Sequence, residues 1–116
     1  MDGYDKEIYT YGHDVTAPAG SSDEYSLLTV PSTKQFRMFK VKVHFPSGSG
    51  YYLQIAVMRG SEQVVPDAGY IVGDNNMVEI DCNKVFIGGQ DVKIWYNNTD
   101  SANAHTCYVL VEGVFE

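Results

Sequence analysis

Between residues 51 and 58 the side chains alternate in character. Tyr51, Leu53, Ile55 and Val57 fall on one side of an extended chain, and Tyr52, Gln54, Ala56 and Met58 fall on the other. Successive side chains leave an extended backbone in opposite directions, so this period of two predicts a strand with one strongly apolar face. Gln35 to Phe45 shows the same pattern, with Phe39, Val41, Val43 and Phe45 set against Lys40, Lys42 and His44. The loop Pro46-Ser47-Gly48-Ser49-Gly50 then turns the chain, and the two segments are expected to pair as a hairpin. Met38 and Phe39 are adjacent and both apolar, which puts Phe36 out of phase with Phe39 and predicts a bulge or bend.

Three further segments alternate downstream. Met77 to Cys82 places Val78, Ile80 and Cys82 opposite Glu79 and Asp81, and Lys84 to Ile87 leads into the turn Gly88-Gly89. Asp91 to Asn97 carries Val92, Ile94 and Tyr96 in phase. Thr106 to Phe115 carries Cys107, Val109, Val111 and Phe115, after the polar loop 97–104. Glu7 to Val15 and Tyr25 to Val30 are less sharply patterned strands, separated by small residues from Ala17 to Ser22. No stretch repeats apolar residues at helical spacing. About seven or eight strands with turn signals every ~8 to 12 residues predict an all-β fold, a two-sheet antiparallel sandwich. The jelly-roll type is the first expectation and an immunoglobulin-like sandwich the second.

Composition bounds this picture. The 116 residues fit one domain, and an apolar share of 44% with 13% aromatics supports a packed core. Residues 1–24 hold six acidic side chains against Lys6 alone, a net -5 of the chain's -7. They are expected to form an acidic N-terminal arm or first strand, with 25–116 as the sandwich. This charge argues against nucleic acid as a partner, because phosphate binding needs clustered Lys and Arg. No apolar run reaches membrane-spanning length, and the start MDGYDKEIYTYGHD lacks the features of a leader, so a soluble chain with no membrane partner is expected.

Candidate chemistry is sparse. His13, His44 and His105 are scattered and in no metal-ligand spacing, so surface or rim positions are expected and no metal site is assigned. No phosphate loop or nucleophile elbow occurs, and neither an enzyme activity nor a cofactor is expected. Cys82 and Cys107 both take the apolar phase, as buried free thiols or as one bridge, with free thiols favoured. Asp67 to Asn76 has oxygens that suit calcium but no regular ligand spacing, and a solvated turn is favoured. Asn97-Asn98-Thr99 matches a glycosylation acceptor, a match that is frequent by chance. Lys34, Arg37, Lys40 and Lys42 concentrate half the basic residues in nine positions. A solvated strand face is their default, and attraction within or between subunits the alternative.

Trp95, the one tryptophan, shares its phase with Asp91, Lys93 and Asn97, on the polar side of its strand. Tyr52 and Met58, and likewise Tyr108 and Leu110, are large apolar groups on otherwise polar faces. Together these five residues are candidates for an exposed interface or ligand patch, and the competing reading is that a loop or the N-terminal segment covers them.

The run of short strands, with APAGSSDEYSLLTVP before the first strong hairpin and IGGQDVKIWYNNTDSANAHTCYVLVEGVF at the return, resembles small jelly-roll proteins that decorate viral capsids or form attachment modules of phage-like particles. The resemblance implies a virion structural protein without enzymatic activity. It also implies a homo-oligomer, often a trimer, bound to a capsid lattice or host surface. The alternative function is a carbohydrate-binding module, with Trp95, Tyr52 and Tyr108 stacking on a surface glycan.

Overall fold

The computed structural model describes residues 7–116, which form eight strands and no helix. These are β1 (Tyr9–Ala17), β2 (Ser22–Thr29), β3 (Gln35–Phe45), β4 (Leu53–Arg59), β5 (Glu62–Val65), β6 (Asn76–Ile87), β7 (Asp91–Asn98) and β8 (His105–Phe115). Sheet A has the order β1-β8-β3-β6 and sheet B the order β2-β7-β4-β5. The antiparallel pairs β1·β8, β2·β7, β3·β6 and β4·β5 are nested around the β4–β5 turn, as though one long hairpin had been wound into two layers. Contacts of β3 with β8 and of β4 with β7 complete each sheet. This is jelly-roll topology. An immunoglobulin-like sandwich would keep its first two strands in one sheet, whereas here β1 and β2 lie in different sheets.

The alternating faces explain the two layers. Phe36, Met38, Val41, Val43 and Phe45 of β3 are fully buried, as are Leu53, Ile55 and Val57 of β4 and Val92 and Ile94 of β7. Both β3 and β4 have one apolar face, and the two faces meet across the core. The expected β3–β4 hairpin is therefore not formed, because residues 46–52 carry the chain from sheet A to sheet B. Two successive turns make this crossing, Ser49 N–H to Pro46 O and Tyr52 N–H to Ser49 O, with Gly48, Gly50 and Tyr51 at positive φ. Alternation identifies an apolar face. It does not say whether the next such face lies beside it or opposite it.

The bulge expected near Met38 and Phe39 is present as a register break between Met38 and Lys40 against both neighbours. It rephases β3 so that Phe36 and Met38, and not the expected Phe39, point inward together with Val41 and Val43. The segments read as Met77 to Cys82 and Lys84 to Ile87 are one strand, β6, and β5 is an additional strand of four residues. The basic run on β3 is neutralised within the chain. Arg37 pairs with Glu116, Lys40 with Asp81, and Lys42 with both Glu79 and Glu112. Solvent-accessible pairs of this kind contribute little to stability. Their main effect is to match β3 to its two neighbours.

Both cysteines are free thiols. Cys107 is buried in the core and burial pushes its thiol up to about 12. Cys82 is half-buried on β6, pushed up to about 11 chiefly by burial, with its Sγ 3.6 Å from the Met38 carbonyl oxygen. Neither is a ready nucleophile at neutral pH. Mass spectrometry after brief iodoacetamide treatment at pH 8 should show almost no adduct on native protein and two on denatured protein, with Cys82 modified before Cys107 during slow native labelling.

Gly113 of β8 is enclosed more tightly than its neighbours. A Cβ there would lie 2.4 Å from the Phe36 ring and 2.6 Å from the Arg37 carbonyl oxygen, which is backbone and cannot swing aside. Gly113→Ala should lower stability by about 1–3 kcal/mol through overpacking, read from the urea midpoint.

Candidate functional site

The five candidate residues are distributed over both outer faces and one end of the sandwich. Trp95 sits on the outer face of sheet B, with Glu24 of β2 on one side and Ala56 of β4 on the other. Met58 lies on the same face opposite Lys93 and is half-buried. Tyr108 and Leu110 lie on the outer face of sheet A, where the Tyr108 ring covers Gly12 so closely that a Cβ there would overlap its hydroxyl. Tyr52 precedes β4 at the loop end and stacks on His105 with ring centres 5.5 Å apart. The structure thus brings Trp95 and Met58 together, and Tyr108 and Leu110 together, with the core between the two pairs.

Trp95 is covered in part by Tyr70, a residue not identified from sequence. Their rings stack at 5.1 Å and 26°. Tyr70 is held there because the next residue, Ile71, is buried and exchanges both backbone hydrogen bonds with Ile55, at 3.0 and 2.8 Å. Gln63 fastens the same loop by donating its side-chain amide to the Pro66 and Gly69 carbonyls. Asp67 pairs with Lys84, and Asp74 accepts the Gly48 N–H. These carboxylates serve the fold, and no group of three or more metal-ligating side chains occurs among the described residues. Beside the Trp95–Tyr70 stack, the Asn97 amide donates to the Gln54 side-chain oxygen at 3.0 Å. The result is a surface of two rings flanked by two amides.

The three histidines do not meet. His13 stacks flat on Tyr25 at 3.6 Å where β1 passes over β2, His44 is exposed on β3, and His105 binds Asp100 at 2.9 Å. On sheet A, Tyr108, His44, Asp14, Thr16 and Thr106 line a hollow of about 310 Å³. A larger open hollow of about 660 Å³ lies among the end loops, bordered by Ser49, Tyr52, Asp100, Asn103 and His105. Ser49 is no free nucleophile there, since its hydroxyl donates to the Pro46 carbonyl at 2.8 Å.

Two residues of the polar loop hold this end together. Asn98 is buried and donates its amide to the carbonyls of Ala17, Pro18 and Asn103, tying the β1–β2 and β7–β8 loops. Asp100 accepts from His105, the N–H groups of Ala102 and Asn103, and the Asn103 amide. The one available sequence signal is the density of Asn and Asp in NNTDSANA, because these side chains bond nearby backbone in turns.

The hydrogen bond from His105, aided by the Ala102 N–H, holds the Asp100 carboxyl down to about 2. A carboxylate whose value is lower in the folded than in the unfolded chain stabilises the fold at all pH above its ordinary value, about 4. That contribution fades as pH falls from about 4 towards 2. Urea midpoints measured over this range should therefore decline more steeply for the wild type than for Asp100→Asn, with the two curves separating most above pH 4.

No protein-family model and no curated protein sequence matches the chain. Solved structures do match in fold. A chain in the acidic stable capsid structure of Helicobacter pylori bacteriophage KHP30 superposes with a TM-score of 0.62 at 13% identity, over 92% of this chain and 86% of that one. A chain of the cyanophage Pam1 capsid asymmetric unit gives 0.53 at 11% identity, over 98% and 89%. Sulfolobus Turreted Icosahedral Virus contains a chain that gives 0.59 at 16% identity over 94% of this chain, which spans only 29% of the viral one. At such identities the likeness is one of fold, and the fold shared is the jelly roll found in viral capsid structures.

Proposed function

We propose that this chain is a non-enzymatic structural protein of a virion, one that self-associates and is carried on a capsid lattice as a decoration or minor component. The observation that carries this reading is the nested eight-strand jelly roll, shared over nine-tenths of the chain with capsid chains of two phages. The surface supports it. Both outer faces present large exposed side chains, with Tyr108 and Met77 on sheet A and the loop residue Tyr70 stacked over sheet B. Sheet faces bearing aromatic groups suit protein–protein contact. Density-gradient purification of particles from the producing cells, followed by mass spectrometry, should find the chain co-sedimenting at constant stoichiometry with the major capsid protein. Its consistent absence from particles would remove the proposal.

The second reading, a carbohydrate-binding module, loses its expected platform, because Trp95, Tyr108 and Tyr52 lie on opposite faces and at one end, and it draws instead on the Tyr70–Trp95 stack beside Gln54 and Asn97. Aromatic faces with adjoining amides can hold a sugar ring. A glycan array separates the readings: retention of a glycan that Trp95→Ala abolishes belongs to this reading alone, while Trp95→Ala should leave far-UV circular dichroism unchanged.

A further inference from the structure

The two sheets have four outer strands, β1 and β6 in sheet A and β2 and β5 in sheet B. An outer strand offers unpaired backbone donors and acceptors to any other chain, and proteins normally blunt it with charge, proline, bulges or short length. Three of the four are blunted in this way. β5 has four residues and runs into Pro66. β6 carries Glu79, Asp81 and Lys84 and has a register break against β3. β2 has a break between Ser26 and Leu28 and bears Asp23 and Glu24.

β1 is different. Its nine residues, YTYGHDVTA, pair with β8 in unbroken register, contain no proline and include one acidic side chain, Asp14. The described residues place no strand on its other side. Large apolar groups collect along this same margin, with Ile8 60% exposed, Tyr9 40% and Tyr25 43%.

We infer that the β1 edge is a self-pairing site, at which a second copy of this chain adds its own β1 antiparallel across a two-fold axis at His13. The inference rests on the proposed self-association and specifies its surface. Centred on His13, the pairing uses all nine residues. It sets Tyr9 against Ala17 of the second copy, Thr10 against Thr16, Tyr11 against Val15 and Gly12 against Asp14. Odd residues meet odd and even meet even, so core-facing side chains stay on the core side in both copies. Tyr9 and Tyr11 come opposite Ala17 and Val15, which are buried in their own core, Asp14 comes opposite glycine, and the two His13 residues meet on the axis, so no carboxylates oppose one another. Self-complementarity of this kind is what a two-fold contact requires. It also favours a second copy over an unrelated strand, whose side chains would have no reason to match this order.

Two copies each carrying -7 repel, so association should tighten as salt screens them, the opposite of capture of a basic partner. Sedimentation velocity of the full chain across the micromolar range, at low and high salt, should show a monomer–dimer equilibrium favoured by salt. Thr10→Lys/Thr16→Lys puts lysine opposite lysine at two symmetric places and should weaken the dimer at least tenfold. Both residues are exposed, so far-UV circular dichroism should be unchanged. Mixing this variant with Thr10→Glu/Thr16→Glu should restore a dimer of one copy of each. Should the lysine variant fail to fold, His13→Cys provides the second reading, because residues facing each other on a two-fold axis should oxidise to a covalent dimer. A wild type that stays monomeric throughout overturns the inference, whereas co-sedimentation with particles would still uphold the virion role. A dimer or trimer insensitive to the lysine variant assigns self-association to another surface and overturns β1.

Discussion

Everything in this molecule depends on two apolar sheet faces finding each other. Each strand offers one apolar face, and one sheet alone would leave that face in water. The opposed faces of β3 and β4, with Phe45 and Val43 on one side and Leu53 and Ile55 on the other, remove both from solvent at once. A fully buried aliphatic or aromatic side chain contributes about 1.5–3 kcal/mol by leaving water, so this interface outweighs the ion pairs displayed on the outside. The glycines, bulge and loops can be understood as conditions that let the faces close. Gly113 makes room for Phe36, and the break at Met38–Lys40 keeps a long strand inward-facing at both ends.

The parts of the fold that were legible in sequence are those where one residue's environment depends on its own strand. The bounds of β3, the bulge within it and the inward phases of β6, β7 and β8 follow from alternation alone. The β3–β4 relation was not legible, because pairing within a sheet and facing across a core leave the same pattern. β5 was missed since four residues cannot display a period, and Val64-Val65 followed by Pro66 looks like the end of a strand as much as a strand. Trp95 was correctly phased to the outer side. Its partial cover by Tyr70 was invisible, as it depends on a loop held by Ile71 against β4.

The candidate surface shows the same division. Sequence identifies which large side chains leave the core, but it does not say which sheet they leave from. Tyr108 and Trp95 belong to opposite layers, so the molecule has two distinct outer surfaces where one was expected. The end loops form a third region, built on Asn98 and Asp100. There a buried amide and a carboxylate do by hydrogen bonding what apolar contact does elsewhere.

The nested order of the strands also bears on how the chain reaches its native state. Tyr9 pairs opposite Gly113, so the first strand of the described fold waits for nearly the whole of it before its partner exists. Folds dominated by such remote pairings close slowly, because the entropy of closing the loop is lost before the contacts that offset it are made. During synthesis the segments of β1 and β2 emerge long before β8 and β7, with their tyrosines unsheltered. Neighbouring nascent chains on one messenger would then present identical, unprotected strands to each other. A folding helper acting on the nascent N-terminal strands, or a low local density of ribosomes, would therefore affect yield more than the stability of the finished sandwich.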